Sequence, residues 1–316
     1  MKKQTEGVAN VVPSGKLTGM GRVWKNRQLY VLLLPAILYV LIFNYQPMYG
    51  VIIAFKNFTP LAGIWGSKWV GFEHFERFMT SPSFVSILKN TLTLSVYSLV
   101  AGFPLPILLA LALHYTKNRG FKKFVQTVTY APHFLSTVII CSMIIMFLSP
   151  RSGIINSLLA ALGLERVFFM SSPEMFKHIH VWSGVWQGCG WSSIIYMAAL
   201  AGIDTSIHES AMIDGASKLQ RVWHIDLPGI LPTIITLLIL NTGSIMNTGF
   251  EKIFLLQNSL NASASEVIST FVYKRGILGG EFSFSTAVGL FNSIVNLILM
   301  CSVNFISKKV TEVGLW

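Results

Sequence analysis

The residues with the most distinctive types and spacing in this chain lie between two apolar segments. Residues 209–216 read Glu-Ser-Ala-Met-Ile-Asp-Gly-Ala, and after eight intervening residues the run Ile225-Asp226-Leu227-Pro228 follows. The chemistry open to such residues is hydrogen bonding and charge pairing at helix ends. A simple connection between two apolar segments would need neither the charges nor the ordered spacing, so we expect function to enter here.

Two capping patterns give this element its predicted structure. Ser206 precedes Glu209 by three residues, and Ser217 precedes Gln220 by three. In each pair the hydroxyl would accept from a helix amide, and the later side chain would bond back to the amide of the cap residue. The spacing predicts two short helices. Gly215 between them suits the left-handed conformation that ends a helix, because it has no Cβ.

The flanking residues extend this picture. Asp214 can face the positive amino-terminal end of the second helix, and Pro228 is expected to stop that helix and begin the next apolar segment. The result would be a rigid helix–turn–helix element within residues 202–228, called the knuckle below, which could transmit force to another protein. An amphipathic pair of helices lying at a membrane surface uses similar sequences, and the residues alone leave both interpretations open.

Motifs for catalysis are missing elsewhere in the sequence. There is no Gly-x-x-x-x-Gly-Lys-Ser/Thr phosphate loop, no Gly-x-Ser-x-Gly and no His-Glu-x-x-His. His178 and His180 are only two apart, and Cys141, Cys189 and Cys301 have no paired spacing. The sequence therefore predicts no catalytic site, no metal site and no cofactor in this chain. If ATP drives the protein, a separate subunit must bind it.

The composition indicates an integral membrane protein. Of 316 residues, 53% are hydrophobic and 12% are charged, about half the charged fraction of an ordinary soluble domain. Roughly 20 mainly apolar residues make one helical crossing of a membrane. Six stretches qualify, of which the third and fifth are short: 29–49, 90–113, 131–148, 181–201, 229–245 and 285–306.

The distribution of basic residues predicts the orientation. With residues 1–28 inside, the inner segments hold 14 of the 24 Lys and Arg residues although they are shorter in total than the outer ones. The positive-inside rule then places both ends, 1–28 and 307–316, and the loop 202–228 in the cytoplasm. The net charge of +11 is explained by membrane retention and lipid headgroups, without nucleic acid.

Polar and aromatic residues inside the crossings are the candidates for a transport path, because they are costly in lipid and tend to face a cavity. The candidates are Trp182, Gln187, Asn241, Asn247, Asn292 and Asn296. Hydrogen bonding between helices is an alternative role for the amides, and an interfacial aromatic belt is one for Trp182. Proline and glycine breaks in several crossings indicate a bundle that bends, or static kinks.

The spacing of the knuckle resembles a known signature. Glu209-Ser210-Ala211-x-x-Asp214-Gly215-Ala216, eight residues, then Ile225-x-Leu227-Pro228 is similar to the signature loop of permease subunits of binding-protein-dependent ABC importers, with Ser210 where Ala is usual. Further stretches resemble the branch that serves polysaccharide fragments, alginate and other oligouronates among them: 34–36, 44–50, 102–106, 130–134 and 282–290.

This resemblance implies an all-α membrane protein with the six-helix type I importer permease fold over 29–306, containing the coupling loop 202–228. It assigns Glu209, Ser210, Ala211, Asp214, Gly215 and Ala216 to docking, and Ile225, Leu227 and Pro228 to their support. It implies several partners: a second, related permease, two ATP-binding subunits that carry ATP and Mg, an extracytoplasmic solute-binding protein, and an oligosaccharide. The location would be the bacterial cytoplasmic (inner) membrane.

Two further expectations concern the predicted outer segment 246–284 and an alternative transport function. The outer segment 246–284, with Lys274 and Arg275, is expected to meet the solute-binding protein or line the outer mouth; a solvated loop is the alternative. The best alternative function is a secondary transporter or channel that works without ATPase subunits.

Overall fold

A computed structural model describes residues 27–247, 249–312 and 314–315, and the predicted cytoplasmic segment 1–28 lies almost wholly outside them. The described chain is mainly helical. Its helices are α1 Arg27–Val40, α2 Gln46–Met48, α3 Gly63–Gly66, α4 Glu73–Met79, α5 Phe84–Gly102, α6 Pro104–His114, α7 Arg119–Tyr130, α8 Thr137–Phe147, α9 Ile154–Ala161, α10 Pro173–Ala201, α11 Thr205–Ile213, α12 Lys218–Arg221, α13 Leu227–Gly243, α14 Phe250–Leu256, α15 Ala262–Ser265, α16 Ile268–Tyr273 and α17 Phe282–Thr311.

Shorter elements join these helices. Two-residue strands β1 Lys56–Asn57 and β2 Lys68–Trp69 pair antiparallel, with Lys56 opposite Trp69. Three π-helical turns and three 3₁₀ turns occur in the described chain, at Leu41–Tyr45, Val222–Asp226 and Lys274–Leu278, and at Tyr49–Phe55, Ala131–Phe134 and Phe169–Ser171. The described residues up to 52 form one compact unit, and those from 53 onward form another. Within the first, α1 contains Pro35 and passes directly into a π turn.

Four described helical runs are long and apolar enough to cross a membrane: Arg27–Phe55, Phe84–His114, Lys218–Gly243 and Phe282–Thr311. Arg119–Phe134 and Thr137–Phe147, bent by 100°, make a fifth if they form one span. The remaining predicted crossing, 181–201, lies inside the 29-residue α10. That helix is less apolar because it carries His, Ser, Gly and Gln along its length. All six predicted stretches therefore overlap helices, and most of the helices are longer than the stretches.

The sharp bend between α7 and α8 has local causes. Pro132 lies in the 3₁₀ turn that follows α7, and Leu135 and Ser136 are extended. A new helix then begins because the Ser136 hydroxyl accepts from the Ile139 amide, 3.3 Å away. The bend therefore arises because α7 ends near Pro132 and α8 starts at a new N-cap, Ser136, so local sequence explains the break in this span.

Helix α10 is the central packing element of the second unit. It lies against α5, α6, α7 and α13, and its buried residues include Phe176, Tyr196 and Leu200. The approach to α7 is close: a Cβ at Gly190 would stand 2.2 Å from the Thr129 carbonyl oxygen. Only glycine fits there, so the approach of these two helices is fixed by a missing side chain.

Buried apolar residues of the second unit form three clusters that join distant segments. The first is Phe78, Ile87, Met246, Ile268, Phe271, Phe284 and Val288. The second is Leu94, Cys141, Phe176, Ile253, Leu256 and Val267. The third is Ala110, Leu111, Tyr196, Leu200 and Ile230. Segment 246–284 contributes to the first two, so much of this predicted outer loop is part of the packed structure.

Candidate functional site

The knuckle begins two residues earlier than the capping pattern indicated. Helix α11 starts at Thr205, and Asp204 is its cap, accepting from the Ser206 amide at 2.9 Å. This hydrogen bond lowers the pKa of Asp204. The expected capping box of Ser206 and Glu209 is wrong, because Asp204 precedes Ser206 and already takes the cap position.

The turn at Gly215 is as predicted. Its φ is +79°, the left-handed region. The Ala216 amide donates to the Ala211 carbonyl at 2.8 Å, and the Gly215 amide donates to that of Met212 at 3.1 Å; these are the two bonds of a Schellman helix end. A Cβ at position 215 would meet no atom within 4 Å. Glycine is therefore required by backbone conformation and not by space.

The second half of the knuckle continues into the membrane helix. The capping box of Ser217 and Gln220 is confirmed, with both bonds present at 3.3 and 2.7 Å. Pro228 does not end α12, contrary to the prediction. The π turn at Val222–Asp226 links α12 to α13, and the Leu227 amide donates to the Val222 carbonyl. This wider turn admits a proline, whose ring would clash in a regular α-helix.

A buried carboxylate holds the base of the knuckle. Asp226 is fully buried; its Oδ2 accepts from the Tyr115 hydroxyl at 2.6 Å, and its Oδ1 lies 3.2 Å from Nε2 of His208. The guanidinium of Arg221 lies 5.5 Å from the centre of the Tyr115 ring. Burial and the bond to Asp226 raise the pKa of Tyr115 to about 12, so its proton stays in place. Asp226 thus ties together α11, the end of α6 and the start of α13.

His114 joins this group. Its ring nitrogen, that of His208 and an Asp226 oxygen lie within 4.8 Å of one another, a set of ligand types that can bind a transition metal. Sequence spacing did not reveal it, because the three residues come from three different segments. Tyr115 already occupies Asp226 Oδ2, while Asp226 Oδ1 and His208 Nε2 lie close together without a hydrogen bond. Because these contacts join three segments of the chain, we assign the group a structural role.

The opposite end of the knuckle is exposed. Among the residues predicted to dock, Glu209, Ser210, Asp214 and Gly215 are exposed, and Ala211 and Ala216 are half-buried. Large apolar side chains accompany them: Met212, Ile213, Leu219 and Trp223, with Ile213 87% exposed. Ile225 and Leu227 are half-buried and Pro228 is exposed beneath them. The element therefore has an anchored polar base and an apolar face with no partner among the described residues.

A cavity of about 500 Å³ opens between the long helices, within the range of about 300–1,000 Å³ that is common for small-molecule sites. Residues of α5, α6, α10 and α13 line it together with residues 244–252. Three of the predicted path residues, Gln187, Asn241 and Asn247, are in the lining. Trp191 is too, with its ring stacked on His133 at 4.5 Å between centroids.

The other three path candidates lie elsewhere. Trp182 Nε1 donates to the Tyr97 hydroxyl at 2.9 Å, away from the cavity lining. Asn292 donates to Asn247 Oδ1 at 3.1 Å and so reaches the cavity only through that side chain. Asn296 is buried, and its oxygen accepts from the Met246 amide at 3.0 Å. For Asn296, the alternative of hydrogen bonding within the bundle matches the geometry.

Lys252 is the cavity residue that sequence reasoning missed. Among the described residues, it is the one charged side chain in the lining. It lies in α14, 8% exposed, and its Nζ has no hydrogen-bond partner. Its place in the cavity could not be predicted from sequence, because residue 252 falls in a predicted outer loop, and lysines are common in such loops.

The other predicted contacts of that segment are paired. Lys274 Nζ lies 2.7 Å from Glu266, and Arg275 lies 3.3 Å from Glu281, which Arg77 also meets at 2.8 Å. All three basic side chains remain partly exposed. They form a charged surface on a packed segment.

Comparison with known proteins gives the class. The family described as the binding-protein-dependent transport system inner membrane component matches residues 102–312. The chain belongs to this family of transport permeases. It is 43% identical to the protein LplB of Bacillus subtilis (strain 168), over 98% of this chain and 97% of that one. It is 44% identical to the polygalacturonan/rhamnogalacturonan transport system permease protein YteP of the same strain, over 92% and 91%.

Solved structures agree in fold. A chain of a bacterial ABC transporter involved in the import of the acidic polysaccharide alginate superposes with a TM-score of 0.85 at 41% identity, covering 92% of this chain and 98% of that one. A chain of the bacterial alginate ABC transporter in complex with an alginate pentasaccharide-bound periplasmic protein gives a TM-score of 0.86 at 40% identity, covering 93% and 98%. The fold is that of an ABC importer permease.

Proposed function

We propose that this chain is one permease subunit of an ATP-driven importer of acidic oligosaccharides. A second, related permease would complete the pore, and two ATP-binding subunits would carry ATP and Mg. A solute-binding protein would deliver the sugar from outside. Both termini and the loop 202–228 would face the cytoplasm, which is the orientation favoured by the Lys and Arg distribution.

The observation that carries this proposal is the knuckle. Its base is held by Asp226 and its turn is set by Gly215, so displacement of its tip would not be absorbed by a flexible loop. The tip presents Ile213 and Leu219 to solvent. Burying one such side chain contributes about 1.5–3 kcal/mol, which favours a socket on a partner. An ATP-binding subunit is the partner that the family membership suggests.

The substrate class rests on the named relatives. Alginate and polygalacturonan, which appear in their names, are chains of uronic acids, and each sugar unit carries a carboxylate. The proposed path runs through the cavity past Gln187, Asn241 and Asn247, with Asn292 behind Asn247. Amides that donate and accept hydrogen bonds suit sugar hydroxyls, and Trp191 offers an aromatic face.

Reconstitution tests the proposal. The chain is coexpressed with candidate permease, ATPase and binding-protein partners, purified in mild detergent and placed in vesicles. We expect the ATPase subunits to co-purify, and uptake of oligogalacturonate or oligoalginate to require ATP and the binding protein. A secondary transporter would import sugar without them. Uptake that persists when the ATPase subunits are left out would overturn the proposal.

A further inference from the structure

The starting point is a buried charge without a partner. Lys252 is 8% exposed, lines the cavity and makes no hydrogen bond through Nζ in the described structure. Removing an ammonium group from water is costly unless a counter-charge or several acceptors replace the water. Fully buried lysines are almost always paired. Even the partly exposed Lys274 has a counter-charge in this chain, Glu266 at 2.7 Å, whereas the more deeply buried Lys252 has none.

The amino group of Lys252 is buried at the wall of the cavity, beside a helix that carries glycines. The nearest helix presents Gly184, where a Cβ would lie 3.5 Å from Nζ. One turn further, a Cβ at Gly188 would meet nothing within 4 Å, so the glycine pair leaves a groove along α10. Both glycines belong to the cavity lining.

A second unpartnered polar group faces the same cavity. His180 is 7% exposed and also lines it, and its Nδ1 has no hydrogen-bond partner. Neither an aspartate nor a glutamate lies among the described lining residues that could neutralise Lys252. The cavity wall therefore holds one positive charge and one additional nitrogen that can donate a hydrogen bond.

We propose that Lys252, together with His180, binds a carboxylate of the sugar during its passage through the cavity. This inference rests on the proposed function, because it assumes that the cavity carries an acidic oligosaccharide. A carboxylate can accept from the ammonium and the imidazole at once, and charge-assisted bonds of this kind are about twice as strong as neutral ones. The cost of the buried charge is then offset only while an acidic sugar is bound, which favours an acidic substrate over a neutral one.

The test compares Lys252→Met and Lys252→Arg with the wild type in the complete, reconstituted transporter. Lys89→Met, which removes an exposed lysine outside the cavity lining, is the matched control. Uptake of oligogalacturonate and the ATPase rate stimulated by loaded binding protein are measured on the same vesicles. Thermal unfolding of each purified complex is recorded, because removal of an unpaired buried charge should not destabilise the fold.

For Lys252→Met we expect uptake to fall at least about tenfold, which corresponds to about 1.4 kcal/mol, while stimulated ATPase persists. Lys252→Arg should restore most of the uptake, and Lys89→Met should leave it unchanged. Wild-type uptake of the acid by Lys252→Met would overturn the inference, as would lowered thermal stability and equal loss of both activities. A wild-type transporter that imports only neutral oligosaccharides would instead refute the proposed substrate.

Discussion

Tyr115→Phe is the sharpest perturbation of the knuckle's base. It deletes one hydroxyl, which lies 2.6 Å from Asp226 Oδ2, and keeps the ring that Arg221 faces. The Asp226 carboxylate is left fully buried, with His208 at 3.2 Å and a ring nitrogen of His114 within 4.8 Å. The polar contact between the end of α6 and the start of α13 is then lost, while the apolar contacts of Ala110 and Leu111 with Ile230 remain.

The magnitude follows from the kind of bond that is lost. A hydrogen bond to a charged group contributes about 1.5–3 kcal/mol, and an acceptor left buried bears its full desolvation cost. Each 1.4 kcal/mol is a factor of about ten in an equilibrium. We therefore expect the local opening of α11 and α12 to become roughly 10- to 100-fold more frequent.

Amide hydrogen exchange of residues 205–221 in the purified complex measures that opening directly. Tyr273→Phe is the control, because the Tyr273 hydroxyl makes no hydrogen bond in the described chain. A Tyr115→Phe/Asp226→Ala double variant should cost less than the sum of the single variants, since both remove the same bond. Unchanged exchange in Tyr115→Phe, or full additivity in the double variant, would show that this contact does not hold the knuckle.

The remaining predictions concern the turn, the tip and the helix approach. Gly215→Val should destabilise the folded turn by about 1–3 kcal/mol because of the φ of +79°, and it should uncouple ATP hydrolysis from uptake. Gly215→Asn should retain coupling, because asparagine tolerates that conformation. Equal loss of coupling in both variants would contradict the conformational argument. Ile213→Asp should leave the chain folded but reduce co-purification of the ATPase subunits; full recovery of those subunits would count against the socket. Gly190→Ala should lower the yield of folded protein, because its Cβ would meet the Thr129 carbonyl at 2.2 Å, whereas Gly188→Ala should not; similar yields would refute the close approach.

Local sequence predicted those parts of the knuckle whose causes are local. The Ser217 and Gln220 cap and the Gly215 turn involve residues a few positions apart, and both are present. The error at Ser206 has the same scale, because two residues that cap helices compete and the earlier one, Asp204, takes the position. The prediction that Pro228 ends α12 was wrong for a different reason. Proline usually ends a helix, and a π turn that makes room for it leaves no clear sequence signature.

The contacts that define the base and the cavity could not be predicted in this way. Tyr115 and Asp226 are 111 residues apart, and the sequence around either residue gives no indication that the two are in contact. The amides of the crossings were correctly singled out as polar groups in apolar helices, but whether each turns to the cavity, as Asn241 does, or to a backbone amide, as Asn296 does, depends on packing. Lys252 shows most clearly what could not be predicted from sequence, because it is buried by the packing of a segment that the sequence predicts to be an outer loop.

The two parts of the site are joined by a single helical run. From Lys218 at the knuckle to Gly243, the chain is helical without a loop, and at 1.5 Å per residue Asn241 lies about 35 Å along the run from its start. If the knuckle is the coupling element, a displacement of its exposed end would be carried along one helical run to the wall of the cavity. The π turn and Pro228 lie between them, where such a run bends most readily, and Asp226 is pinned at that point to Tyr115 and His208. Asp226 thus lies between the exposed end of the knuckle and the cavity wall, and in the proposed transporter movement of α11 and α12 would tilt α13 about this point.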